Sequence, residues 1–210
     1  MNSVVWQKRR SVARLSEIRK AAAYYLIQPV VRPLAKTGIT PNTITWLGFL
    51  LSAGGGALIV TRHIFAAGWV VLVAGLFDMM DGALARYTKR VTQSGAILDS
   101  TLDRLAEAVL LLSILLLYAR EGSIIGILLV GITLVGSLLV SYIRARAESL
   151  DIECQVGLFT RPERVIVLAL GLLLSQIDNA LIIALAIIAV FSFFTAGQRL
   201  VYVWKQIKIR

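Results

Sequence analysis

The chain has 210 residues, 58% of them hydrophobic and 16% charged, with a mean hydropathy of +0.79 and a formal net charge of +10. No polar stretch is long enough for a separate soluble domain, so the composition points to an all-α integral membrane protein with a single domain over residues 1–210. The basic residues sit beside apolar spans without interleaved aromatic residues, which favours anionic lipid over nucleic acid as their partner, and a lone cysteine, Cys154, excludes an internal disulfide.

In chain order, the first thirty-odd residues carry Lys8, Arg9, Arg10, Arg14, Arg19 and Lys20 but no apolar core followed by a cleavage site, so no signal peptide is expected. Val12, Leu15, Ile18, Ala22, Tyr25 and Leu26 share one helical side, while Arg14, Glu17 and Lys20 point elsewhere. That pattern predicts an amphipathic interfacial helix over 12–27. Pro41-Asn42, after Gly38, predicts a turn and a helix start.

Apolar stretches at 44–60, 64–85, 95–118, 124–143, 162–175 and 180–198 predict six transmembrane helices within 43–204. The fifth is the shortest, and its start at Arg161-Pro162 is expected inside a polar cavity. With alternating sides, nineteen of the 22 Lys and Arg fall on one side, Arg62 and Arg120 on the other, and Arg104 inside a span. The positive-inside rule therefore places both termini in the cytoplasm, at the cell membrane. Asp178-Asn179 is expected to cap the last helix, and His63 to lie in an exposed loop. Glu107, one turn beyond Asp103, is expected to pair with Arg104 or face another helix, and carries no assigned role.

The apolar background makes Asp78, Asp81, Asp99 and Asp103 stand out. The first pair is spaced i, i+3 and the second i, i+4, so each pair shares a helical face. Two such helices side by side would gather four acids whose repulsion and desolvation demand cations. Carboxylates are hard ligands that suit Mg²⁺, Mn²⁺ or Ca²⁺, and His or Cys ligands for zinc or copper are absent nearby. Because Arg86, Lys89 and Arg90 follow at once, the cluster opens to the cytosol. Gly82, Ala85 and Gly95 leave room for a flat ligand, so the cleft suits a nucleotide pyrophosphate held beside metal.

The full pattern, Asp78-x-x-Asp81-Gly82-x-x-Ala85-Arg86, eight residues, Gly95-x-x-x-Asp99-x-x-x-Asp103, resembles the signature of the CDP-alcohol phosphotransferases at all eight fixed positions. Thr40-Pro41-Asn42 and the six-span plan extend the resemblance over most of the chain. Such enzymes displace CMP from a CDP-alcohol with an acceptor hydroxyl. The resemblance implies that Asp78, Asp81, Asp99 and Asp103 hold two Mg²⁺ or Mn²⁺ ions and that Asp103 is the general base. It further implies that Asn42, Asp78, Asp81, Gly82, Ala85, Arg86, Gly95 and Asp99 bind the CDP-lipid, and that the enzyme is a homodimer.

The acceptor is suggested by Ser141-Tyr142-Ile143-Arg144 and Arg161-Pro162-Glu163-Arg164, whose guanidinium groups, if they converge, suit a phosphate dianion at a helix start. These segments resemble the phosphatidylinositol-phosphate synthase branch and its archaeal counterparts, which join CDP-diacylglycerol or CDP-archaeol to inositol 1-phosphate. By that resemblance Ser141, Arg144, Arg161, Arg164 and Arg199 line the acceptor site, Arg144 standing where members often have lysine. Glycerol 3-phosphate is the alternative acceptor. A divalent-cation transporter is the alternative of a different class.

Overall fold

The computed structural model describes residues 29–208, and among these the regular structure is entirely helical. The expected interfacial helix at 12–27 lies outside the described residues. A helical stretch at 29–36 precedes α1 (Pro41–Val60), α2 (Ile64–Tyr87), α3 (Gln93–Glu121), α4 (Ile124–Glu148), α5 (Arg161–Leu173) and α6 (Ala180–Ile207).

Local chemistry sets several of these boundaries. The Thr40 side chain accepts the Thr43 N–H, with Pro41 in the first helical turn, as the Pro41-Asn42 pair predicts. Thr92 and Ser123 accept the N–H groups of Gly95 and Gly126 at the starts of α3 and α4. Between those helices Gly122 closes α3 in the left-handed conformation, φ 69°. At α5 the Glu163 carboxylate accepts both the Thr160 N–H and its hydroxyl, at 2.7 and 2.5 Å. Asn179 occupies the N-cap position of α6 but makes no side-chain capping bond.

Packing closes the helices into a ring in the order α1, α2, α5, α6, α4, α3, each resting chiefly on its two neighbours. The core inside it includes Ile59, Val71, Ile114, Val130, Leu172 and Leu185, one from each helix. Thr133 on α4 ties across to the Leu185 carbonyl on α6 at 3.1 Å. The outer surface is also apolar: Leu50, Leu128 and Val190 are about 60% exposed, with Trp46, Trp69 and Phe194 beside them in the exposed set. Apolar side chains so widely exposed around a ring whose interior holds charge suit a hydrocarbon solvent rather than water.

Four helices, α1, α2, α4 and α6, are long and apolar enough to cross a membrane. The third and fifth expected spans differ for two physical reasons. Helix α3 has ample length, 29 residues, but its first half carries Asp99, Asp103, Arg104 and Glu107. Helix α5 has 13 residues, about 20 Å of helix against a hydrocarbon core of about 30 Å, and gives way to turns after Leu173.

Small residues permit the close helix contacts, and at Gly171 a Cβ would lie 2.5 Å from Ala184 Cβ on α6. Gly171→Ala is expected to push α5 off α6 and cost about 1–3 kcal/mol. Thermal unfolding in detergent checks this, and an unchanged melting temperature would contradict the packing described.

Candidate active site

Four helix ends meet at one end of the ring: the start of α1, the end of α2, and the starts of α3 and α5. Helix α2 presents Asp78 and α3 presents Asp99 and Asp103, with one carboxylate oxygen from each lying within 4.8 Å of the others. These are three of the four predicted acids. The fourth, Asp81, is 4% exposed and lies outside that group, and its Oδ2 is buried without a hydrogen-bond partner.

Arg161, the first residue of α5, supplies the positive charge. Its Nη1 pairs with Asp78 Oδ1 and lies 2.8 Å from Asp103 Oδ1, with all three side chains about one-fifth exposed. A single guanidinium nitrogen thus bridges α2 and α3, while Arg161 Nε is buried without a partner. The expected placement of the α5 start in a polar cavity agrees with this geometry.

The other predicted nucleotide residues frame the acids. A Cβ on Gly95 would lie 2.9 Å from Thr92 Oγ1 and 3.2 Å from Asn42 Oδ1, so this glycine lets the start of α1 close on the start of α3. Arg86 is exposed and folds back over its own helix, where its Nη1 would be 3.4 Å from a Cβ on Gly82. Ala85, one turn from Asp81, is partly buried. Below the acids a cavity of about 30 Å³ runs into the ring, lined in part by Thr45, Ser52, Glu107, Thr133 and Arg164.

The predicted acceptor residues have different partners. Arg164 is 2% exposed and clamps Glu107 with two bonds, Nε to Oε1 at 2.7 Å and Nη2 to Oε2 at 2.9 Å. Arg199 is 3% exposed and donates to the Val156 and Val140 carbonyls at 2.9 and 2.6 Å, pinning the chain that leads into α5. Both guanidinium groups are engaged inside the protein, by a carboxylate and by backbone, while Arg164 Nη1 is buried without a partner at the cavity below the acids. Arg144 is exposed and pairs with Glu148 one turn on, at 2.8 Å. Ser141 lies with Ser100, Thr101, Arg104 and Tyr142 in an open groove of about 660 Å³ between α3 and α4.

Glu107 is the functional-region residue that received no role from sequence. An acid one turn beyond Asp103, in an apolar helix, was the available signal. Of the two partners expected for it, the structure supplies a residue of another helix, whereas Arg104 turns back to the Ser100 carbonyl. Thr45 was also missed, since a buried threonine in an apolar span carries no distinguishing mark.

The donor set fits a hard divalent cation. All the converging atoms are carboxylate oxygens, and two oxygens on one octahedral ion of about 2.1 Å bond length stand roughly 3–4 Å apart, close to the spacing within this group. The orphaned Asp81 Oδ2 adds a buried acceptor with a coordination position to fill.

A family model described as CDP-alcohol phosphatidyltransferase matches residues 38–197. The archaetidylinositol phosphate synthase of Methanothermobacter thermautotrophicus is 35% identical over 188 residues, 86% of this chain and 94% of its own length. The phosphatidylinositol phosphate synthase of Mycobacterium tuberculosis is 34% identical over 202 residues, 92% of each chain. A crystal structure of that mycobacterial protein with CDP-DAG bound matches with a TM-score of 0.76 at 34% identity, covering 86% of this chain and 94% of that one. Another, in complex with manganese and citrate, has a TM-score of 0.74 at 35% identity over 84% and 88%.

The environments of Arg144 and Arg164 predict opposite costs on truncation. Arg164→Ala leaves Glu107 buried and unpaired and is expected to destabilise by about 3–5 kcal/mol. Arg144→Ala, at a surface pair, is expected to cost less than about 1 kcal/mol. Detergent unfolding of the two variants side by side checks the ordering, which a larger loss in Arg144→Ala would reverse.

Proposed function

The chain belongs to the CDP-alcohol phosphatidyltransferase family, and from that membership we propose that it transfers a phosphatidyl or archaetidyl group from a CDP-lipid to inositol 1-phosphate, releasing CMP. The observation that carries this reading is the convergence of Asp78, Asp99 and Asp103, with Arg161 paired to Asp78 and Asp103, within a chain similar along most of its length to enzymes named for inositol phosphate products. The family leaves the cation-transporter alternative without support.

In this reading Asp78, Asp81, Asp99 and Asp103 hold two divalent ions, Mg²⁺ or Mn²⁺, a choice supported by the manganese complex of the mycobacterial relative. Bound there, the cations offset the pyrophosphate charge and acidify the acceptor hydroxyl. Asn42, Gly82, Ala85, Arg86 and Gly95 form the cytidine and phosphate side of the cleft. Asp103 takes the proton of the attacking hydroxyl as its oxygen bonds to the β-phosphorus. The bond from that phosphorus to the bridging oxygen breaks, and its electron pair leaves with CMP. Arg161 meets the acceptor phosphate, with Arg144 and Ser141 at the approach to it.

The proposal includes α3 and α5 as the third and fifth members of a six-helix membrane bundle. Both termini and the acid cluster face the cytoplasm at the cell membrane, the lipid tails enter sideways from the bilayer, and the chain works as a homodimer. The side bearing nineteen Lys and Arg is the side at which the acids open, which supports that orientation.

Purified protein with CDP-diacylglycerol or CDP-archaeol is expected to release CMP with inositol 1-phosphate, and little with serine or unphosphorylated inositol. Faster turnover with glycerol 3-phosphate would move the acceptor assignment to that compound. Asp103→Asn is expected to lower kcat by about 10²–10⁴. CMP release that persists unchanged in that variant would remove the base role.

A further inference from the structure

Helices α3 and α5 are not neighbours in the ring, yet two rungs of charge join them across its interior. Asp103 and Glu107 are four apart on α3, and Arg161 and Arg164 are three apart on α5, so each pair stacks one turn above the other. The upper rung is Asp103 to Arg161, made by one nitrogen that Asp78 shares, with about one-fifth of each side chain exposed. The lower rung is Glu107 to Arg164, two parallel bonds with 11% and 2% exposed.

The difference between the rungs separates their roles. A shared, single-nitrogen, partly solvated contact exchanges partners readily, whereas a buried two-bond fork resists opening because either charge alone would be stranded. For Asp103 to accept a proton from the acceptor, Arg161 has to leave it. The first turn of α5 then needs another hold on α3. Packing of Val165 near Gly75, Leu173 on Gly68 and Gly171 on Ala184 fixes the helix farther along, against α2 and α6. Thr195 and Arg199 fix the preceding chain against α6. Among these contacts only the Glu107 rung ties α5 to the helix that carries Asp103.

We propose that Glu107 is a positioning residue. With Arg164 it forms the permanent rung that keeps Arg161 in reach of both Asp103 and the acceptor phosphate while Arg161 passes between them. This inference rests on the functional reading above, and it concerns acceptor binding rather than donor or metal binding.

Three variants of the full chain test it: Glu107→Gln, Glu107→Asp, and the paired Glu107→Leu/Arg164→Met, which removes both charges at similar volume. Each is assayed for KM of CDP-lipid and of inositol 1-phosphate, for Mn²⁺ affinity by electron paramagnetic resonance, and for melting temperature. Glu107→Gln is expected to raise the acceptor KM about 10- to 100-fold, with the donor KM and Mn²⁺ affinity within about twofold of wild type. Glu107→Asp should fall between, and the paired variant should melt near wild type while keeping the raised acceptor KM. An acceptor KM in Glu107→Gln within about twofold of wild type overturns the proposal, as does a parallel shift of both KM values and Mn²⁺ affinity. A paired variant that fails to fold, or that recovers the wild-type acceptor KM, overturns it too. Wild-type protein that releases no CMP overturns the functional reading and this one with it, whereas wild-type turnover with an unmoved acceptor KM overturns this one alone.

Discussion

Carboxylates inside a ring of apolar helices can remain charged only if positive charge stands beside them, and the arrangement of this protein follows from meeting that requirement at one place. Asp78 belongs to the second half of α2 and Asp103 to the first half of α3, and a single nitrogen of Arg161 on α5 touches both. Three helices are thereby committed to one point. The free N–H groups and positive dipole end of α5 add to the local potential there, because the helix begins at the cluster instead of running past it.

The order of the ring makes that meeting possible. Helix α1 lies between α2 and α3 in the ring, and the three run alternately up and down, so the start of α1, the end of α2 and the start of α3 share one end of the molecule. Helix α4 follows beside α3, and a chain that continued in simple succession would then place α5 beside α4. Instead α5 sits between α2 and α6, and its short length lets it start at the acid cluster and still end in a tight turn before α6. Its 13 residues look deficient by the measure of a bilayer crossing, yet they suit a helix whose task is to deliver Arg161 and Arg164 to the ring interior.

The acids were legible in the sequence because their message is local. Spacings of three and four on two helical segments fix which faces they occupy, and the apolar surroundings exclude a casual solvent-exposed explanation for them. The arginines were not legible in the same way. Arg144, Arg161, Arg164 and Arg199 are one residue type in similar flanking sequence, and their partners are Glu148, two aspartates, Glu107 and two backbone carbonyls. Partner choice depends on what lies across the ring, in residues 57 and 59 positions away for Arg164 and Arg199, which no helical period encodes. The membrane crossings divide similarly. Four spans are evident from length and hydropathy, while α3 and α5 depart from the simple rule at the helices that carry the charge.

The separation of the arginines also bears on why a phosphorylated acceptor suits this site better than a neutral polyol. Arg164 and Arg199 are locked by burial, and Arg144 lies out at the surface, so Arg161 is the guanidinium whose release bears directly on the aspartates. While it contacts Asp78 and Asp103, it offsets their charge but also occupies the oxygen that the proposed reaction assigns to the incoming hydroxyl. Under the proposed reading, cations take over the carboxylates and a phosphate dianion takes over Arg161, so every charge keeps a partner throughout the exchange. A neutral acceptor would break that sequence, because Arg161 would have to abandon two carboxylates for solvent at a partly buried position. The phosphate would then serve two ends at once: it anchors the acceptor, and it draws Arg161 away from the base that the attacking hydroxyl requires.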